Sequence, residues 1–245
     1  MPNNITDAFS EYFEMIPAVS EHLKNEVYKL RYQVYCLETG FEKIELHPEG
    51  IEFDEYDKSS VHYLIQHRKS EVYAATTRLI LPDVTNREKL FPIEIHTQID
   101  NHELLKNIPR ENLAEASRFC VSKTFKRRRN EPGSLTGIGS DMETNFTGDE
   151  RRVFPHLTIA LFACLIKMSD ENGINYWYAV MEPALIRYFS SLGIYFVGIG
   201  PLAEYHGKRQ PCMIKVKELL DGVAKKDLDL WDMMTGKGRF GKNIS

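Results

Sequence analysis

The stretch 115-EASRFCVSKTFKRRR-129 decides how the chain reads. From Glu115 to Val121 it alternates like a strand, and from Lys123 through Lys126 to Arg127, Arg128 and Arg129 it becomes strongly cationic. The pattern predicts a sheet edge that delivers a carboxylate, Glu115, and a guanidinium, Arg118, beside a loop able to hold an anion. It is the outline of an active site.

Upstream, residues 61–67 and 71–81 have strand composition and a short polar connection at Lys69 and Ser70, which predicts a hairpin. Arg78 falls inside its second strand. It must face solvent or meet a carboxylate, because an unpaired buried charge is strongly unfavourable. Before the hairpin, residues 41–57 form an acidic segment broken by Pro48 and Gly50, read as a long ordered loop. Within it Asp54, Tyr56 and Asp57 set two carboxylates around an aromatic ring, suited to holding an ammonium; a solvated acidic loop is the alternative.

Earlier still, Ser20 and Glu21 look like the cap and first turn of a helix whose apolar stripe is Leu23, Val27, Leu30, Val34 and Leu37, ending at Gly40. Arg31 sits at the edge of that stripe, where its stem can cover the core while its head reaches water. Phe9, Phe13 and Ile16 predict a first helix over residues 1–18.

Downstream, residues 82–110 read as loop with one short helix at 101–106, and residues 130–149 have the make-up of a mobile insertion. Residues 153–168 are apolar on nearly every face, predicting a central buried helix. A strand over 174–181, a helix from Pro183, a strand over 195–199, a last strand over 212–216 and a further helix over 219–232 complete an α/β alternation. No linker divides the chain. A single domain over residues 1–220, with a basic and glycine-rich insertion at about 123–150, and a C-terminal extension over 221–245 are expected.

Bulk properties narrow the class. The chain has 245 residues, 42% hydrophobic and 27% charged, with a net charge of −4, so global attraction to nucleic acid or an anionic membrane is not expected. Cys36, Cys120, Cys164 and Cys212 form no CxxC pair, which suggests a reducing, cytoplasmic setting. No membrane span is read. The eight histidines show no HExxH spacing, and no metal site is expected.

Assembled, Arg31 with Val34 and Tyr35, Gly40-Phe41, Asp54-x-x-Asp57, Arg78-Leu79 and Glu115-x-Ser117-Arg118-Phe119 resemble the acyl-homoserine-lactone (autoinducer) synthases and N-acyl amino acid synthases. Order and spacing match over roughly residues 20–217, and the branch most similar is the acyltransferases associated with exosortase (PEP-CTERM) systems. The resemblance implies a GNAT-like (acyl-CoA N-acyltransferase) fold, α/β with a central mixed twisted sheet flanked by helices. It implies that Arg31, Asp54, Asp57, Arg78, Glu115 and Arg118 line or brace the cleft where acyl donor meets amine. Phe41 stands where the lactone synthases carry a tryptophan of the S-adenosylmethionine pocket. Phe189 stands where many acetyl-transferring relatives carry a tyrosine acid.

The chemistry so implied is aminolysis of a thioester, which needs a neutral amine at a pH where amines are mostly protonated. Glu115 is the candidate base, although a carboxyl near its reference pKa of about 4.3 is a poor one unless desolvation raises it, and Arg118 opposes the rise; orienting the amine is its other possible role. Backbone N–H groups of Phe119, Cys120 and Val121 would face the oxyanion. A covalent acyl-Cys120 route lacks a nearby histidine in sequence.

No permanently bound cofactor is implied; the donor would be acyl carrier protein or acyl-CoA. Lys123, Lys126, Arg127, Arg128 and Arg129 would hold a phosphate or the acidic carrier surface. The expected activity is transfer of a fatty acyl group to the amine of an amino acid or related small molecule. The alternatives are a lactone synthase using S-adenosylmethionine and a non-catalytic acyl-carrier binding module.

Overall fold

The computed structural model describes residues 4–126, 146–204, 207–242 and 244. Arg127, Arg128, Arg129 and most of the expected insertion lie outside them.

In chain order the elements are α1 (Ile5–Tyr12), β1 (Phe13–Pro17), α2 (Glu21–Tyr32), β2 (Ser60–His67), β3 (Tyr73–Ile80), α3 (Pro92–His96), α4 (His102–Leu105) and β4 (Leu113–Val121). There follow α5 (Gly148–Val153), α6 (Leu157–Asn172), β5 (Tyr176–Met181), α7 (Pro183–Ser191), β6 (Val197–Gly198), β7 (Ala203–Glu204), β8 (Lys208–Lys215), α8 (Val216–Lys226) and α9 (Leu228–Thr235). The strand order is β1-β2-β3-β4-β5-β8-β6, with β7 on β8. Among the described residues only β4 and β5 run parallel; every other pair is antiparallel.

Alternation along the strands explains why both faces of the sheet are covered. Tyr63 and Ile65 of β2 and Val121 of β4 enter the core beneath α6, while Leu64 and Cys120, one residue out of phase, pack with Val27, Leu30 and Val34 of α2 and the turn after it. Helix α6 is buried all round, as its composition predicts, and Gly173 ends it with φ +67. Trp177 is fully buried and donates its indole N–H to Ser169 Oγ at 2.8 Å. The run Gly148–Asn172 is long and apolar enough to cross a membrane, yet 72% of that window is buried inside the protein as a core helix. Helix α9 packs on α6 and α1 through buried Leu230, Met233 and Met234. The expected division between residues 220 and 221 falls inside α8.

Several elements differ from the sequence reading. Residues 13–17 are not helical: Phe13 ends the helix and the chain turns into an edge strand paired with β2 from Phe13↔His67 to Pro17↔Tyr63. The open edge of β2 needs hydrogen-bond partners, and this outweighs a weak helical spacing. Pro17 is tolerated because it lies at the sheet edge. The last strand starts at Lys208 rather than Cys212, and the strand expected over 195–199 shrinks to Val197–Gly198. Helix α3, inside the stretch read as loop, starts with Pro92, and its first turn is closed by Glu94, whose Oε2 accepts from the Phe91 N–H at 2.7 Å.

Candidate active site

β4 and β5 pair only from Leu113↔Tyr176 to Glu115↔Tyr178, then part. Beyond Glu115 the residues of β4 lack the ladder partner on β5 that a regular sheet would give them. Beside this gap β4 carries a bulge. Thr76 pairs with Cys120 and Arg78 with Ser117, so the single residue Thr77 lies opposite both Arg118 and Phe119. Arg118 takes φ +50, a left-handed value that a non-glycine residue adopts at a cost of about 1–3 kcal/mol.

The bulge sends its two side chains to opposite sides. Phe119 packs with Phe162 at 5.4 Å and Phe189 at 6.3 Å between ring centroids, forming the apolar end of a cleft of about 210 Å³ with Trp177 and Leu165. Arg118 turns to the polar end, which also holds Tyr35, Asp54, Arg78, Glu115 and Arg209.

Behind the polar end lies a charge network. Arg31 Nε donates to Glu52 Oε2 at 2.5 Å and its Nη1 to Asp57 Oδ1 at 2.7 Å. Arg78 Nη1 donates to Asp54 Oδ1 at 2.6 Å and Asp57 Oδ1 at 2.9 Å, and its Nε to Ser117 Oγ at 3.0 Å. Arg118 Nη2 donates to Glu52 Oε1 at 2.9 Å and Asp54 Oδ2 at 3.3 Å. Three guanidiniums thus face three carboxylates. The Asp54-x-x-Asp57 spacing is a reciprocal cap: Asp54 Oδ1 accepts from the Tyr56 N–H and Asp57 Oδ2 from the Asp54 N–H.

Burial alone would raise the Glu52 carboxyl, but Arg31 and Arg118 hold it down at about 2. Burial likewise works against charged Asp57, and Arg31 with Arg78 holds it well below the usual carboxylate range. His62, 3.6 Å from Asp57, is pushed down to about 3 by burial and by Arg31, so it is neutral.

Glu115 is set apart from this network. It is 5% exposed, lines the cleft, and accepts from the Ile93 N–H of α3 at 2.9 Å through Oε2. Burial pushes its carboxyl up to about 7; the Ile93 N–H and Arg78 pull against that, Glu94 adds to it, and Arg118 has the smallest of these pulls. A buried carboxylate of that basicity in a cleft can take a proton from an ammonium near neutral pH.

Residues 30–133 match the family model described as acetyltransferase (GNAT) domain. That stretch of the chain is similar to a GNAT domain. Among solved structures, TofI in a ternary complex with an inhibitor and MTA superposes with a TM-score of 0.58 at 18% identity, over 89% of this chain and 99% of that one. FeeM, an N-acyl amino acid synthase from uncultured soil microbes, gives 0.54 at 17% identity over 86% and 93%. BjaI, a CoA-dependent acyl-homoserine lactone synthase with SAM and isopentyl-CoA, gives 0.54 at 18% identity over 96% and 92%. No curated protein matches the chain in sequence. At these identities the likeness establishes a shared fold, the mixed α/β GNAT architecture.

The fold brings Phe41, Asp54, Arg78, Glu115, Arg118 and Phe119 to one cleft. Arg31 and Asp57 lie behind it; Arg31 is 0% exposed, so its head is paired inside the protein and does not reach water. Asp54 and Asp57 hold arginines, where the sequence suggested an ammonium. Cys120 and Val121 rejoin the β3 pairing beyond the bulge and do not line the cleft, whereas Ser117, Arg118 and Phe119 do. Burial pushes the Cys120 thiol up to about 12, unsuited to a nucleophile. Phe189 is buried against Phe162 at 4.8 Å, leaving no hydroxyl there, while Tyr188 is exposed.

Lys123 and Lys126 are exposed just past β4, and the Lys123 backbone N–H donates to Glu38 Oε2 at 2.8 Å. No cluster of metal-ligating side chains occurs among the described residues. Sequence reasoning missed Glu52, since nothing in the acidic loop separates it from Glu45, Glu49 or Glu55. It also missed Tyr35 as a cleft wall and Arg209, whose guanidinium carbon lies 5.6 Å from the centre of the Phe41 ring.

Proposed function

We propose that this GNAT-domain acyltransferase moves a fatty acyl group from a phosphopantetheine thioester, on acyl carrier protein or coenzyme A, to the amine of an amino acid or related small molecule. The observation that carries the reading is Glu115, a buried carboxyl that accepts from the Ile93 N–H and lines the polar end of a cleft whose other end is apolar; burial pushes it up to about 7. The Phe119, Phe162 and Phe189 rings suit an alkyl chain.

In the proposed step Glu115 accepts a proton from the ammonium, directly or through one water, and the freed nitrogen attacks the thioester carbonyl carbon. The carbonyl oxygen becomes an oxyanion facing N–H groups at the β4 bulge. Collapse breaks the C–S bond, and the carrier leaves as a thiol, its sulfur taking the proton that the attacking nitrogen gives up, so that an amide remains and Glu115 passes its own proton to water. No side-chain nucleophile takes part.

Lys123 and Lys126 stand past the end of the strand that carries the bulge, and we assign them, with Arg127, Arg128 and Arg129, to the acidic carrier surface or a carrier phosphate. The four cysteines are unpaired and buried, in keeping with a reducing, cytoplasmic setting. A second reading, lactone synthesis from S-adenosylmethionine, has the complex of BjaI with SAM in its favour and Phe41 at the family's tryptophan position against it.

The test is incubation of the purified protein with acyl-carrier-protein and acyl-CoA thioesters of several lengths, amino acids and S-adenosylmethionine, with products identified by mass spectrometry. An N-acyl amino acid is expected. A lactone product would replace the first reading with the second. Intact thioesters that nevertheless bind would favour a non-catalytic module.

A further inference from the structure

Arg110 lies outside the cleft and outside every motif read in the sequence, yet its side chain is engaged on all sides. Its Nη1 and Nη2 grip Glu94 Oε1 at 2.6 Å and Oε2 at 2.7 Å, Nη2 also donates to the Lys89 carbonyl at 2.5 Å, and its guanidinium carbon sits 4.1 Å from the centre of the Phe91 ring. Glu94 Oε2 in turn accepts from the Phe91 N–H at 2.7 Å, closing the first turn of α3. One residue before Glu94, the Ile93 N–H points to Glu115 Oε2. A planar guanidinium held by a fork and a ring is a rigid brace, and α3 has only five residues to hold itself in place.

We propose that Arg110 is a positioning residue for Glu115: by bracing the first turn of α3 it holds the Ile93 N–H on the carboxylate and neutralises Glu94 beside it. The inference rests on Glu115 being the base of the proposed reaction. Around that carboxyl stand Arg78 of β3, Glu94 of α3, Arg118 of β4 and Tyr178 of β5, and His96 of α3 and Asp54 of the turn before β2 line the same cleft. Of these, Glu94 is the one whose charge Arg110 offsets directly. Loss of Arg110 removes a hydrogen bond to the charged form and leaves a carboxylate nearby, and both changes favour protonated Glu115.

The test is a carbon-13 NMR titration of the Glu115 carboxyl, assigned by its disappearance in E115Q, in wild type, R110Q and R110K, beside the pH dependence of acyl transfer. R110Q is expected to raise the Glu115 midpoint by about one unit, which cuts the deprotonated fraction at neutral pH about fivefold, and to move the acid limb of the rate profile with it. R110K keeps the charge but not the fork, so a smaller rise is expected with about tenfold faster hydrogen exchange at the Ile93 amide.

A folded R110Q whose midpoint stays at the wild-type value overturns the proposal. If R110Q does not fold, unchanged Ile93 exchange and an unchanged midpoint in R110K overturn it. A general loss of rate with no move of the limb or the midpoint would mark Arg110 as merely structural. The titration is independent of turnover, so an inactive wild type would sink the reading of Glu115 as base while the titration still decides whether Arg110 positions it.

Discussion

At Glu115 burial and charge pull in opposite directions, and burial wins. The folded protein therefore favours the protonated carboxyl. This contribution to stability is present below the unfolded carboxyl range of about 4.3 and is lost as pH rises through about 7. Glu115→Gln is expected to flatten that part of the pH dependence of thermal unfolding, while acyl transfer falls by about 10²-fold or more. Glu52 has the opposite sign: its stabilisation is present above the ordinary carboxyl range and is lost as pH falls toward about 2. Arg31 is wholly buried between Glu52 and Asp57, so Arg31→Ala leaves two buried carboxylates short of a partner and is expected to cost about 3–5 kcal/mol in denaturant unfolding.

Between elements the decisive features are a strand pair that parts and a bulge that splits two side chains. The alternation and charge of residues 115–129 made the strand legible, and Ser20, Pro183 and Gly193 marked helix ends as local chemistry should, whereas α2 stops at Tyr32 and continues as a π-helical turn over Gln33–Glu38, short of Gly40. The bulge was not legible in detail, because its position depends on which β3 residue meets which β4 residue, a long-range register. Glu52 was hidden for the same reason: its partners come from α2 and β4, far away in sequence. Phe189 forms part of the apolar wall, and Phe189→Ala is expected to shift preference toward longer acyl donors in competition assays. At the turn after α7, a Cβ on Gly222 would lie 2.2 Å from the Gly193 carbonyl oxygen, so Gly222→Ala must push α8 away. A loss of about 1–3 kcal/mol in thermal unfolding is expected, with acyl transfer at permissive temperature retained.

For the whole molecule, helices cover both faces of one sheet, and the splayed β4–β5 gap in its middle lies beside the cleft lined by Glu115, Arg118 and Phe119. The ion network of Arg31, Arg78 and Arg118 with Glu52, Asp54 and Asp57 ties α2, the acidic loop, β3 and β4 together at that point. The sequence resemblance named Arg31, Asp54, Asp57, Arg78 and Arg118 but not Glu52; Asp54, Arg78 and Arg118 line the cleft and Arg31 and Asp57 lie behind it. The most direct test of Glu115 as base is the rate of acyl transfer across about pH 5 to 9 for wild type and E115Q. The expected result is a wild-type rate that climbs to a plateau through about pH 7 and an E115Q rate that stays low without that limb. Equal rates and identical profiles for the two proteins would contradict a base role for Glu115.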